Sequence, residues 1–181
     1  MPKFSELSGA ERRFILHWGE MGTRWGINRT VAQVHALLFL SPEPLNAEQI
    51  QETLSIARSN VSTSLKELQG WGIIRLVHLP ADRRDHFESL REIWEMFRIV
   101  IEERKRREVD PTVAMIRTCI TEADKDPATS EYARDRLREM HVFLTTTSAW
   151  YATFRGWPTS VVTRFFSLAD KSRKLLGINA D

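Results

Sequence analysis

Residues 46–90 constrain this chain more than any other stretch. They read as a helix cap, a short helix, a tight turn, a second helix and a two-stranded ribbon with a charged tip. Asn46-Ala47-Glu48-Gln49 opens the stretch. Asn46 offers a side-chain acceptor to the orphan amides of a helix start, and Gln49 can reach back to the amide of the cap. Ala47, Ile50 and Leu54 follow at spacings of three and four. After a break at Ser55-Ile56-Ala57, the run Val61, Leu65 and Leu68 predicts a second helix from about Arg58 to Gln69, ~18 Å long. It closes at Gly70-Trp71-Gly72, where glycine permits a left-handed residue. Ile73–Leu79 and Asp85–Ser89 read as strands on either side of Pro80-Ala81-Asp82-Arg83-Arg84.

The second helix is informative for what it leaves outside. Burying Val61, Leu65 and Leu68 turns Arg58, Ser59, Asn60, Ser62, Thr63 and Lys66 outward, a face rich in donors and free of acid until Glu67. Such side chains bond base edges and phosphate oxygens, and a major groove admits one helix. The pattern is that of a recognition helix, with the ribbon carrying Arg83 and Arg84 as its wing. Charge alone would not have pointed to DNA. Residues 58–91 hold six Lys/Arg against four acids, and the whole chain has a net charge of only +2, so any attraction to nucleic acid is local.

The run from Ala57 to Arg75, followed by Asp82-Arg83-Arg84-Asp85-His86-Phe87-Glu88, resembles the GbsR branch of the MarR-type winged-helix repressors. Trp25-Gly26-Ile27-Asn28-Arg29 and Ala32-Gln33-Val34-His35-Ala36-Leu37-Leu38 are similar to that branch as well. Two positions depart from it: Ala57 stands where Ser often caps the recognition helix, and Ala81 where Gly is common in the wing turn. The resemblance implies a mainly α fold. A winged helix-turn-helix, a three-helix core with a small β wing, is flanked by N- and C-terminal dimerisation helices. It also implies a homodimer that reads a near-palindromic operator on double-stranded DNA.

The flanks fit this reading. Ser8-Gly9-Ala10-Glu11 is a capping box, and Phe14, Ile15, Trp18 and Met21 form the stripe of an amphipathic helix over 8–22. Asn28 caps a run marked by Val31, Val34, His35, Leu38 and Phe39, and Pro44-Leu45 can add a short strand to the wing sheet. Beyond the wing, Ile93, Trp94, Phe97, Val100 and Ile101 mark a helix expected to close in the basic run ending at Arg107, with Asp110-Pro111 starting the next. That basic run reads as a solvated helix end rather than a nucleic-acid site. Further helices are expected over 110–124, from Ser130 to about Phe154, and from Pro158 through Leu175. Their apolar residues outnumber what one neighbour would cover, which suggests burial against a second copy, the alternative being a monomeric bundle that uses the surplus for its own core. The expected organisation is an N-terminal dimerisation helix in 1–27, the winged helix in 28–92 and a helical dimerisation and effector region in 93–181.

Catalysis is not indicated. His17, His35, His78, His86 and His141 lack metal-ligand spacing with one another or with Cys119, and no phosphate-binding glycine loop occurs, so neither an enzyme nor a cofactor is expected. Cys119 lies beside Ile116 and Ile120 and reads as a packed, inert thiol. Without a signal peptide or an apolar run long enough to span a bilayer, a cytoplasmic protein with no membrane partner is expected. Two classes of function remain: a DNA-binding regulator, and a winged helix used for protein interaction or DNA architecture. The second would place apolar anchors on the exposed helix face, where this chain has none.

The six tryptophans raise the matter of an effector. The GbsR branch includes sensors of choline-type osmolytes, which implies an aromatic site for a quaternary ammonium between the winged helix and the dimerising helices. Trp25, Trp94, Trp150, Tyr151 and Trp157 fall in segments that would border it, and their ring faces attract cations. Core and dimer packing is the commoner use of such residues.

Overall fold

The computed structural model describes residues 4–80 and 82–175, with side chains apart from those of Phe154 and 169–175. The expected helices at 154 and 175 therefore reach residues whose side chains lie outside the description, and Ala81 lies outside it altogether. The chain divides into two compact units, the first ending at Val100 and the second beginning at Ile101.

The first unit begins with α1 (Gly9–Arg24), opened by the expected capping box. Ser8 Oγ accepts the Glu11 amide at 3.2 Å and Glu11 accepts the Ser8 amide at 2.8 Å. α2 (Arg29–Leu40) starts at Asn28, whose side chain accepts the Thr30 amide. Small residues let these two helices approach closely: a Cβ on Gly22 would lie 2.6 Å from the Ala32 Cβ. The helix-turn-helix follows as α3 (Ala47–Leu54) and α4 (Arg58–Trp71). Asn46 and Gln49 cap α3 reciprocally, at 3.0 and 2.9 Å. Ser55, at φ 54°, makes the left-handed turn between the helices, and Gly72, at φ 76°, closes α4.

Three antiparallel strands complete the winged helix, in the order β1 (Leu45–Asn46), β3 (His86–Ser89), β2 (Ile74–Val77). The expected short strand is present one residue later than Pro44-Leu45, because Leu45 pairs with Phe87 and Asn46 with His86. Asn46 thus serves as both strand residue and helix cap. The other two strands are shorter than the expected 73–79 and 85–89, with Ile74 opposite Ser89 and Val77 opposite His86. The core joins Ile15, Val34, Leu38, Leu45, Ile50, Val61, Leu68 and Phe87, with Met96 from the next helix.

That next helix, α5 (Ile93–Arg104), corrects an expectation. Its α-helical hydrogen bonding ends in the basic run at Arg104, as expected, but the helical backbone does not stop there and Asp110 does not cap a separate helix. A π turn at Lys105–Val109 carries the chain directly into α6 (Asp110–Ala123). Proline supplies the reason. Pro111 has no amide to donate and its ring crowds the preceding turn, and the widened π turn, with the Asp110 amide bonded to the Lys105 carbonyl, absorbs the mismatch. The basic run is neutralised locally: Lys105 pairs with Asp110 at 2.7 Å, Arg106 with Glu103 at 2.6 Å and Arg104 with Glu108 at 3.7 Å.

In the second unit α7 (Glu131–Arg155) packs on α6. Arg134 ties the turn between them, donating to the carbonyls of Ala123 and Asp126 at 2.9 Å each. α8 (Thr159–Leu175) ends the described chain. Tyr132, Phe143, Trp150, Phe166 and Leu168 are exposed along α7 and α8. Cys119 is half-buried on α6, its Sγ 3.4 Å from the Met115 sulfur.

His35 is the one core histidine of α2, 5% exposed, flanked by Trp18 and Phe39 rings at 6.3 Å and 3.4 Å from Ser89 Oγ. Burial lowers its pKa to about 4. The folded state therefore holds His35 neutral, while the unfolded chain takes up a proton below about pH 6.5. Stability from this residue is complete above that pH and is lost as pH falls toward 4, by about 3 kcal/mol in all. Urea midpoints at pH 7 and pH 5 should fall further for the wild type than for His35→Gln, and equal pH dependences would show that His35 is not held neutral.

Candidate nucleic-acid interface

The local sequence of α4 decides which of its sides meets solvent. Val61, Ser64, Leu65 and Leu68 are buried, and Arg58, Ser59, Asn60, Ser62, Thr63 and Lys66 are all exposed. Ala57 at the cap makes no side-chain hydrogen bond to the first turn. The amides there consequently stay open at the positive end of the helix dipole, beside Arg58. Neither Arg58 nor Lys66 has an ion-pair partner among the described residues. The face can donate hydrogen bonds to base edges and phosphates without first breaking a salt bridge.

The wing presents its two arginines differently. Arg83 is exposed and has no ion-pair partner among the described residues. Arg84 is turned back onto the protein. Asp82 Oδ1 accepts its backbone amide and its Nε, each at 3.0 Å, and Oδ2 accepts its terminal nitrogen at 2.6 Å. The other terminal nitrogen lies 3.3 Å from Glu48 Oε2 on α3. Hydrogen bonds from Arg84 hold the Asp82 carboxyl well below the usual carboxylate range. Below them the buried His86 donates from Nδ1 to the Arg84 carbonyl at 2.9 Å, and its Nε2 lies 3.5 Å from Asp82. Farther up β2, Arg75 pairs with Glu88 across the strands at 2.5 Å. Two of the six cations counted in the sequence are thus neutralised by nearby acids. Nothing in the sequence pointed to Glu48, which is 36 residues from Arg84. A groove of about 510 Å³ separates α4 from the wing, bounded by Arg58, Ser62, Lys66, Glu48, Arg84 and Asp85.

The aromatic residues expected to border an effector site are distributed over the two units. Trp25 lies on an apolar cavity of about 200 Å³ within the first unit, which is also lined by Trp18, Trp71, Met96, Phe97 and His35. Trp94 does not line this cavity, but its ring meets that of Phe97 edge-on at 6.2 Å. In the second unit Trp150 is exposed in a groove along α7 with Val142 and Phe143, and Tyr151 is half-buried. Trp157 meets Phe165 edge-on at 5.9 Å. Trp18 and Trp71 were missed as cavity residues. Helical spacing could have found Trp18, because residues 18, 21, 22 and 25 share one face of α1. Among the described residues no acidic side chain lines the cavity. Among the described residues no group of His, Cys, Asp and Glu is placed to hold a metal, and no helix is long and apolar enough to cross a membrane.

A three-helix core whose second helix-turn-helix element presents a polar face, followed by a β wing, defines a winged helix-turn-helix. Residues 25–85 match the model of the MarR family, so this part of the chain is similar to a MarR-type winged helix. A solved structure described as a transcriptional regulator has the same fold, with a TM-score of 0.63 over 81% of this chain and 96% of that one, at 20% identity. No curated protein matches the chain.

Proposed function

We propose that this chain is a sequence-specific DNA-binding transcriptional regulator, a repressor of the GbsR branch, that reads a near-palindromic operator as a homodimer. The observation that carries the reading is the exposed face of α4. Its six outward side chains are polar without exception, and its cations are free of acid partners among the described residues. The match of residues 25–85 to the MarR family and the likeness to a transcriptional regulator support it. A winged helix that docks protein instead would be expected to show apolar anchors there.

Dimerisation is supported by unspent apolar surface. Tyr132 is 76% exposed, Trp150 66% and Phe143 61%, more than a stable monomer ordinarily leaves along one helix. A two-fold protein also suits DNA, since one recognition helix reads a half-site and two halves lie about 34 Å apart. Control by a small molecule is supported by the cavity in the first unit. Its tryptophans suit a choline-type cation, although among the described residues no carboxylate lines the cavity. An effector acts there only through a difference in affinity between DNA-competent and incompetent forms.

Three outcomes are expected. On a site selected from a random DNA pool, Asn60→Ala should cost about 1–3 kcal/mol and relax the sequence preference, while Lys66→Ala weakens all sequences evenly. Binding unchanged in both variants removes α4 from the interface. The intact chain should sediment as a dimer at micromolar concentration, and a monomer would refute the second-copy assignment. Choline or glycine betaine at millimolar concentration should change tryptophan fluorescence and release DNA together; if both signals stay constant, the osmolyte assignment fails while the regulator survives.

A further inference from the structure

Arg84 is the only wing cation, among the described residues, held by carboxylates from two elements. The Asp82 contact is intrinsic to the wing turn, because the same carboxylate also accepts the Arg84 amide. The Glu48 contact is of another kind. It runs from the first turn of α3 to the wing, and both residues line the groove beside α4. Both side chains are more than half exposed, at 56% and 58%, so the pair is weak and exchanges readily. A phosphate oxygen offers a guanidinium the same acceptor geometry as a carboxylate.

We propose that Glu48 is a positioning residue that restrains Arg84 on the protein and thereby sets DNA affinity: backbone phosphate competes with Glu48 for the wing arginine. The proposal rests on the DNA-binding reading above. Displacement has two costs. The ion pair is lost, and a freed carboxylate is left in the groove facing the anionic backbone. Contacts made by α4 must offset both, so the restraint raises the threshold that any DNA sequence has to meet. Asp82 remains on Arg84 throughout and keeps the guanidinium aimed from the wing.

The test is a cycle of four full-length proteins on the selected site: wild type, Glu48→Gln, Arg84→Ala and the double variant. Glu52→Gln, one turn farther along α3 and not paired to Arg84, controls for charge alone. Glu48→Gln should bind about two- to five-fold tighter, with a steeper dependence of log affinity on log salt because no carboxylate is left to take up a cation. In the Arg84→Ala background the same change should do no more than Glu52→Gln does. An unchanged affinity overturns the proposal, and so does a gain that persists without Arg84. A readout without DNA separates this failure from that of the parent reading. The Arg84 Nε–Hε resonance of the free protein should move in Glu48→Gln and stay in place in Glu52→Gln. If it does not move, the restraint is absent even where DNA binding is intact. If it moves but no protein of the set binds DNA, the DNA reading fails and the affinity-setting role fails with it.

Discussion

Val61, Leu65 and Leu68 press one side of α4 into the core, where α2 packs against it. The rest of the candidate site depends on that burial. Helical geometry permits no choice once those positions are inside: residues 58, 59, 60, 62, 63 and 66 must point outward. Burying three such side chains is worth roughly 1.5–3 kcal/mol each, far more than any exposed polar group could gain by turning the helix. The polar face is therefore held rigidly by apolar contacts that never touch a ligand.

The cap at Asn46 extends the same economy of parts. One residue pairs with His86 in the sheet and caps α3, so the wing strand and the first helix of the helix-turn-helix share an anchor. Arg84 and Glu48 join the two elements again near the tip. A wing is a small two-stranded ribbon, and such ribbons are marginal without support. Here support comes from β1, from buried Phe87 and His86, and from the ion pairs of Arg84 at the end that packing cannot reach.

The second unit has the opposite character. Along α7 no described side chain is buried, whereas Ile116 and Ala123 of α6 are. Helix α7 leaves Phe143 and Trp150 exposed among the described residues. The proposed homodimer accounts for that exposure.

Much of this molecule was legible in the residues alone, for local reasons. Caps at Ser8, Asn28 and Asn46 declare helix starts because their side chains reach amides two or three residues away, and Gly72 declares a stop because its φ is positive. The outward face of α4 follows from periodicity. Three features were decided only in three dimensions. The junction at Pro111 became a π turn because one helix continued through it, which no local rule for Asp-Pro anticipates. The cavity drew Trp18 and Trp71 from helices far apart in the chain. Arg84 found Glu48 across 36 residues. Short-range hydrogen bonding and helical periodicity are properties of sequence neighbours, and so the sequence determined the elements and the faces they bury. Partners brought together by the packing of those faces have no signature in a single sequence, and only the tertiary structure decided which cations remain free for a ligand.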